Sequence, residues 1–184
     1  MNQKGFTIIE LMITVAILAI VVMIGVPSFA DVIKKNQIKA SLQGFSTALK
    51  YARSEGVKQS SSVTICASSD QATCTGNWNQ GWVVFKDVDS AGDFDAGTDT
   101  LLRVHDAIDT NHTLVFDHAT SGRVTFLSRG YTSGQFGTFK LCGPDNEDKY
   151  ARGIILQKTG SLRYSIDSGG NGIYEDASGS DFSC

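Results

Sequence analysis

The sequence predicts an α+β protein. One long N-terminal α-helix, transmembrane in its first half and amphipathic in its second, packs on an antiparallel β-sheet globular domain. Three observations predict this. An apolar run from Phe6 to Val26 has about the 20 residues that a helix needs to cross a bilayer. Apolar residues then recur at Ile38, Leu42, Phe45, Leu49 and Ala52, in alternating steps of four and three that line one helical face. Beyond residue 60 the pattern changes to short β-type runs divided by glycine, aspartate and serine, and 19 glycines against 2 prolines fit a body rich in tight turns.

The apolar run reads as a retained anchor. A secretory signal peptide has an apolar stretch of about 7–15 residues and a small-residue cleavage site. Here the run is longer and passes through Val26-Pro27-Ser28 into more helical sequence. Lys4 precedes it and Lys34, Lys35 and Lys39 follow, so lysines alone do not set its orientation. The cysteines do. Cys66, Cys74, Cys142 and Cys184 all lie beyond the run, which places the body outside the reducing cytoplasm. Inside the apolar run sits Glu10, whose charge would cost about 2.5–3.5 kcal/mol at a bilayer centre.

The second half of the helix follows Pro27, which is expected to kink the helix without ending it. Lys34, Lys35, Lys39, Lys50, Arg53 and Lys58 mostly fall off the apolar stripe, as a solvated face would. A single helix from Phe6 to about Val57 would be about 75 Å long at 1.5 Å per residue. The strands expected after it are Ser62–Ala67, Gly81–Lys86, Thr100–Val104, Thr113–Phe116, Arg123–Leu127, Phe136–Cys142, Gly153–Lys158 and Leu162–Ile166. Alternation as in Thr138-Phe139-Lys140-Leu141 suits sheets with one buried face. The spacing suits antiparallel hairpins and meanders.

The stretch Lys4-Gly5-Phe6-Thr7-Ile8-Ile9-Glu10-Leu11 resembles the leader motif of type IV pilins and type II secretion pseudopilins. The resemblance implies that a prepilin peptidase cuts between Gly5 and Phe6 and methylates the new amino group of Phe6. It implies that Glu10, fifth in the mature chain, meets the amino terminus of a neighbouring subunit during assembly. Pro27 falls where pilin helices commonly kink. In the body, ALKYARSEGVKQSSSVTIC, GWVVFKDVDSAG and GRVTFLSRGYTSGQFGTFKLC resemble the GspH/FimT group of minor pilins and pseudopilins, most closely its FimU-type members. The helix-end Tyr51-Ala52-Arg53-Ser54-Glu55 is the most telling part.

The implied organisation is a leader (residues 1–5), an assembly and membrane helix (6–27), the amphipathic half of the helix (28–59) and a β-rich, type IV pilin-like body (60–184). The implied function is a minor pilin that primes fibre assembly or sits near the tip, supporting adhesion, twitching motility and DNA uptake. The alternatives are a minor pseudopilin of type II secretion or a DNA-binding minor pilin for transformation. Implied partners are other major and minor pilins, the prepilin peptidase, the assembly platform and the inner membrane. The body would lie in the periplasm before assembly and in the extracellular fibre afterwards.

Four cysteines allow three connectivities. Cys66 and Cys74, flanking a turn-rich segment, make a local bridge easy, and Cys142 with Cys184 would then tie down a Gly/Ser/Asp-rich tail. The stretch DVDSAGDFDAGTD partly matches a calcium loop, making Asp87, Asp89 and Asp93 weak calcium candidates; Ala91 and Thr98 stand where two ligands are expected. His105, His112 and His118 have no compact metal-site spacing. With no phosphate loop and no nucleophile–base pair in the sequence, neither an enzyme nor a cofactor is expected. Direct DNA binding is disfavoured. The net charge is −3, Ser161 replaces the first arginine of the family's Gly-Arg-x-Arg element, and Arg163 is the one basic residue from Gly160 to Cys184, against Asp167, Glu175, Asp176 and Asp181.

Overall fold

The computed structural model describes residues 5–108, 111–118 and 122–184. Met1 to Lys4, most of the expected leader, lie outside the described residues. The chain divides into two compact units, Met1–Asn36 and Gln37–Cys184, and helix α1 (Ile8–Lys58) contributes to both. α1 continues through position 27, although the side chain of Pro27 is outside the described set.

From Leu11 to Val26 α1 is apolar on nearly every side. Ile8, Ile9, Leu11, Met12, Ile13 and the aliphatic residues onward to Ile33 are exposed, and Phe6 is 88% exposed. Among the described residues this is the one helix long and apolar enough to cross a membrane. A helix without a polar face has no stable place in water and requires lipid or protein around it.

The second unit is built on the other end of α1. Ile38, Leu42, Phe45, Leu49 and Ala52 are buried, as their spacing predicts, and Ala48 joins them. Among the described residues eight strands follow, matching the expected runs to within a few residues at each end. They are β1 (Ser62–Ala67), β2 (Trp82–Asp87), β3 (Thr100–His105), β4 (Thr113–Asp117), β5 (Arg123–Phe126), β6 (Gly137–Cys142), β7 (Arg152–Leu156) and β8 (Leu162–Tyr164). They form two four-stranded sheets, of order β3-β2-β1-β5 and β4-β6-β7-β8, and every pairing is antiparallel.

Both sheets and α1 share one core. Phe45 of α1 meets Trp82 of the first sheet at 5.0 Å and Phe139 of the second at 4.7 Å, both edge-to-face, and Phe116 stacks on Phe139 at 4.0 Å. Such pairs each contribute about 0.5–1.5 kcal/mol beyond their buried area.

Burial along β1 and β2 is nearly continuous, not alternating. The reason is that the outer face of the first sheet is covered as well. Cys66, Val83 and Phe85 pack there against Cys74 and Phe94 from two loops. The Cys66–Cys74 disulfide fastens the first of these loops. Within it Asp70 accepts the N–H groups of Ala72 (3.0 Å) and Thr73 (2.8 Å), which hold its carboxyl well below the usual range.

The second sheet is covered in the same way by the C-terminal tail. Cys142, on its outer face, is bonded to Cys184. Phe182 is buried beside Gly153, where an added Cβ would lie 2.6 Å from the ring. The N–H of Ala177 donates to Thr138 Oγ1 at 3.2 Å, and Lys140 donates to the carbonyl of Ser183. Thr138 therefore lies buried on the face that alternation assigns to solvent.

Candidate functional site

The N-terminal turn carries the expected cleavage and assembly residues. Gly5 and Phe6 precede α1 and Phe6 projects outward. Thr7 stands at the N-cap position and Glu10 three residues into the helix. Their bonds are reciprocal. The backbone N–H and the hydroxyl of Thr7 each donate to Glu10 Oε2 at 3.1 Å, and the backbone N–H of Glu10 donates to Thr7 Oγ1 at 3.3 Å. This is a capping box, which satisfies donors that the first helical turn otherwise leaves free. The carboxylate also sits at the positive end of the helix dipole. A Thr-x-x-Glu spacing just before an apolar run signals such a box in the sequence, and it gives Glu10 a role inside its own chain.

The helix end that resembles the family most has a clear task in the body. Arg53 Nε donates to the carbonyl of Gly130 at 3.0 Å and Nη2 to that of Thr159 at 3.3 Å. One guanidinium thus fastens α1 to the β5–β6 loop and to the β7–β8 turn. Gly160 fits beneath it with φ of 73°, where an added Cβ would press into the carbonyl of Gly130 and lie 3.1 Å from Arg53 Nε. The turn that corresponds to the family's basic element is therefore a packed hairpin corner. Arg163 just beyond it is exposed and shares a shallow groove with Glu175 and Asp176.

The acidic stretch after β2 differs from its sequence reading. Asp93 does not join Asp87 and Asp89; it pairs with Arg123 of β5 at 2.6 Å. Asp99 takes its place, so that Asp87, Asp89 and Asp99 each bring an oxygen within 4.8 Å of the other two. The cause is strand register. Lys86 lies opposite Thr100, which sets the residues following β2 beside those preceding β3. Burial lifts the Asp87 carboxyl above its ordinary value against the hydroxyl of Thr64, and the charge of Asp99 adds to the rise. The histidines are separately placed: His105 stacks on Trp82, His118 on Phe116, and His112 is buried.

Residues 41–160 match the family described as type II transport protein GspH, and residues 1–26 match the prokaryotic N-terminal methylation motif. A type IV major alpha-pilin of Moraxella bovis is 44% identical over 57 residues, which is 29% of this chain and 36% of that protein, about a third of its length. Among solved structures, the type IV minor pilin FimU of Pseudomonas aeruginosa superposes with a TM-score of 0.59 at 22% identity, covering 72% of this chain and 91% of that one. The minor pseudopilin EpsH of the Vibrio cholerae type 2 secretion system superposes at 0.51 with 16% identity, covering 70% and 95%. At these identities the likeness is one of fold.

Proposed function

The chain belongs to the GspH family of type II transport proteins, and from that premise we propose that it is a minor pilin of a type IV pilus, placed near the tip or priming assembly. The carrying observation is the join of a methylation-motif N-terminus to an apolar helix and a GspH body. The fold likeness to FimU and the local identity to a major alpha-pilin favour the pilus. Adhesion, twitching motility and DNA uptake would follow from the fibre, not from chemistry in this chain.

In the proposed mechanism a prepilin peptidase removes Met1 to Gly5 and methylates the Phe6 amine, which keeps its positive charge. The subunit waits in the inner membrane with its body in the periplasm. At the assembly platform Glu10 meets the Phe6 amine of a neighbouring pilin. Two opposite charges that meet in a low-dielectric setting hold strongly, and removing one partner costs about 3–5 kcal/mol. The chain is non-catalytic in this reading.

Mass spectrometry of the mature subunit tests the premise. The expected N-terminus is methylated Phe6, and Gly5→Ala should leave the precursor uncut; normal processing of that variant overturns the assignment.

A second reading, a minor pseudopilin of type II secretion, is favoured by the family description and by the EpsH fold. Deleting the gene separates the two, since loss of surface pili supports the first and loss of secreted enzymes the second. Direct DNA binding is disfavoured by the acidic surroundings of Arg163, and salt-sensitive binding of duplex DNA by the purified protein would reverse that.

A further inference from the structure

The loop between β2 and β3 brings three carboxylates together. Asp87 ends β2, Asp89 follows it and Asp99 precedes β3; one oxygen from each lies within 4.8 Å of the other two. Two oxygens bound to one ion at about 2.4 Å can be no more than about 4.8 Å apart, so the spacing is compatible with a shared ion. Backbone donors hold the side chains in place. Asp99 accepts the N–H groups of Val88 (2.9 Å) and Asp95 (3.0 Å), and Asp89 accepts that of Ala91 (3.0 Å).

A cluster of acids alone is ordinary on a protein surface. The separate observation concerns Asp87, which is 1% exposed. Its Oδ2 accepts from Thr64 Oγ1 at 2.8 Å and from the N–H of Gly92 at 3.0 Å. Its Oδ1 is buried and meets no donor among the described residues. A buried polar atom left without a partner is destabilising, and more so when it is charged. Arg123 of β5, two strands away from β2 in the sheet, is engaged by Asp93, which is not part of the cluster. Three carboxylates are thus held together, one of them with a buried oxygen that meets no donor among the described residues.

We propose that Asp87, Asp89 and Asp99 form a binding site for a calcium ion, with Asp87 as its buried wall and water completing the coordination on the exposed side of Asp89. The donors are all carboxylate oxygens, with neither sulfur nor imidazole, which selects a hard cation. Three carboxylates drawn from a strand end and a loop suit calcium, which accepts six to eight oxygens in flexible geometry, better than magnesium, which demands a near-ideal octahedron. The ion would tie the end of β2 to the start of β3. It would also steady the loop that places Phe94 over Phe85, and so the cover of the first sheet.

Calorimetric titration of the full chain in detergent with calcium chloride, and in parallel with magnesium chloride, tests the site. The expected result is saturable, one-to-one calcium binding with Kd on the order of 10⁻⁴–10⁻³ M, weaker by about tenfold or more for magnesium. Asp89→Asn and Asp99→Asn, on accessible residues, should each weaken calcium binding about tenfold while circular dichroism reports an unchanged fold. Asp117→Asn, on the second sheet, should leave it unaltered. Absence of saturable binding up to about 10 mM calcium overturns the proposal, and backbone donors with a proton on Asp87 then suffice. Binding that persists undiminished in both cluster variants overturns it too, because the ion then resides elsewhere.

Discussion

Opening the Cys142–Cys184 disulfide should be the most damaging of the redox changes open to this protein. The bridge spans 42 residues, against 8 for Cys66–Cys74. Restricting the unfolded chain by loops of these lengths contributes about 4 and about 2.5 kcal/mol respectively at room temperature. The longer bridge also holds the tail that covers Thr138 and Gly153. If the tail detached, exposure of Phe182 would remove a further 1.5–3 kcal/mol or so. Two other contacts resist that release, the N–H of Cys184 to Asp148 Oδ1 at 2.7 Å and Lys140 to the carbonyl of Ser183. The expected loss for Cys142→Ala with Cys184→Ala is therefore about 4 kcal/mol, extending towards 6 if the tail leaves. In a chain of this size that lowers Tm by about 8 °C or more, against about 5 °C or more for Cys66→Ala with Cys74→Ala. Thermal melts of both double variants, followed by circular dichroism in detergent, measure the pair. A smaller loss for the 142–184 variant than for the 66–74 variant would refute the loop-length reasoning.

Gly160→Ala should destabilise the body by about 2–4 kcal/mol, from a left-handed backbone and a displaced Arg53 clamp, as read by denaturant unfolding. In calcium-free buffer with chelator, Asp87 makes stability fall as pH rises from the ordinary carboxylate value through its own raised value, because the folded state binds the proton more tightly. Asp87→Asn should flatten that limb of the stability profile, from the ordinary carboxylate value upward. The acid limb set by Asp70, whose carboxyl is lowered and whose contribution vanishes as pH falls, should remain.

The sequence was most readable where one local rule acts alone. The stripe from Ile38 to Ala52 obeys helical period and is buried throughout. The hairpin series β1-β2-β3 and β6-β7-β8 follows from short apolar runs and turns. What stayed hidden depended on distant partners. β5 returns to β1, and β4 crosses to β6, a division into two sheets that only long-range packing decides. Continuous burial of β1 and Thr138 reflects covers laid down by disulfide-tied segments. At the acidic loop, counting along the chain chose Asp93, whereas the β2–β3 register brought in Asp99 and β5 supplied Arg123 to hold Asp93. Glu10 stood out as a charge in an apolar run, while its bond to Thr7 went unread although its spacing was in view.

That bond bears on how a fibre of such subunits could come apart. Among the described residues, both donations from Thr7 reach Oε2 of Glu10. A lone chain therefore does not hold a bare carboxylate. In the assembly proposed above, transfer of a subunit between lipid and fibre would exchange one hydrogen-bonded arrangement of Glu10 for another, with a driving force set by their difference. If the proposed assembly holds and that difference is small, a subunit released from the fibre would regain its own first turn as partner and could be used again.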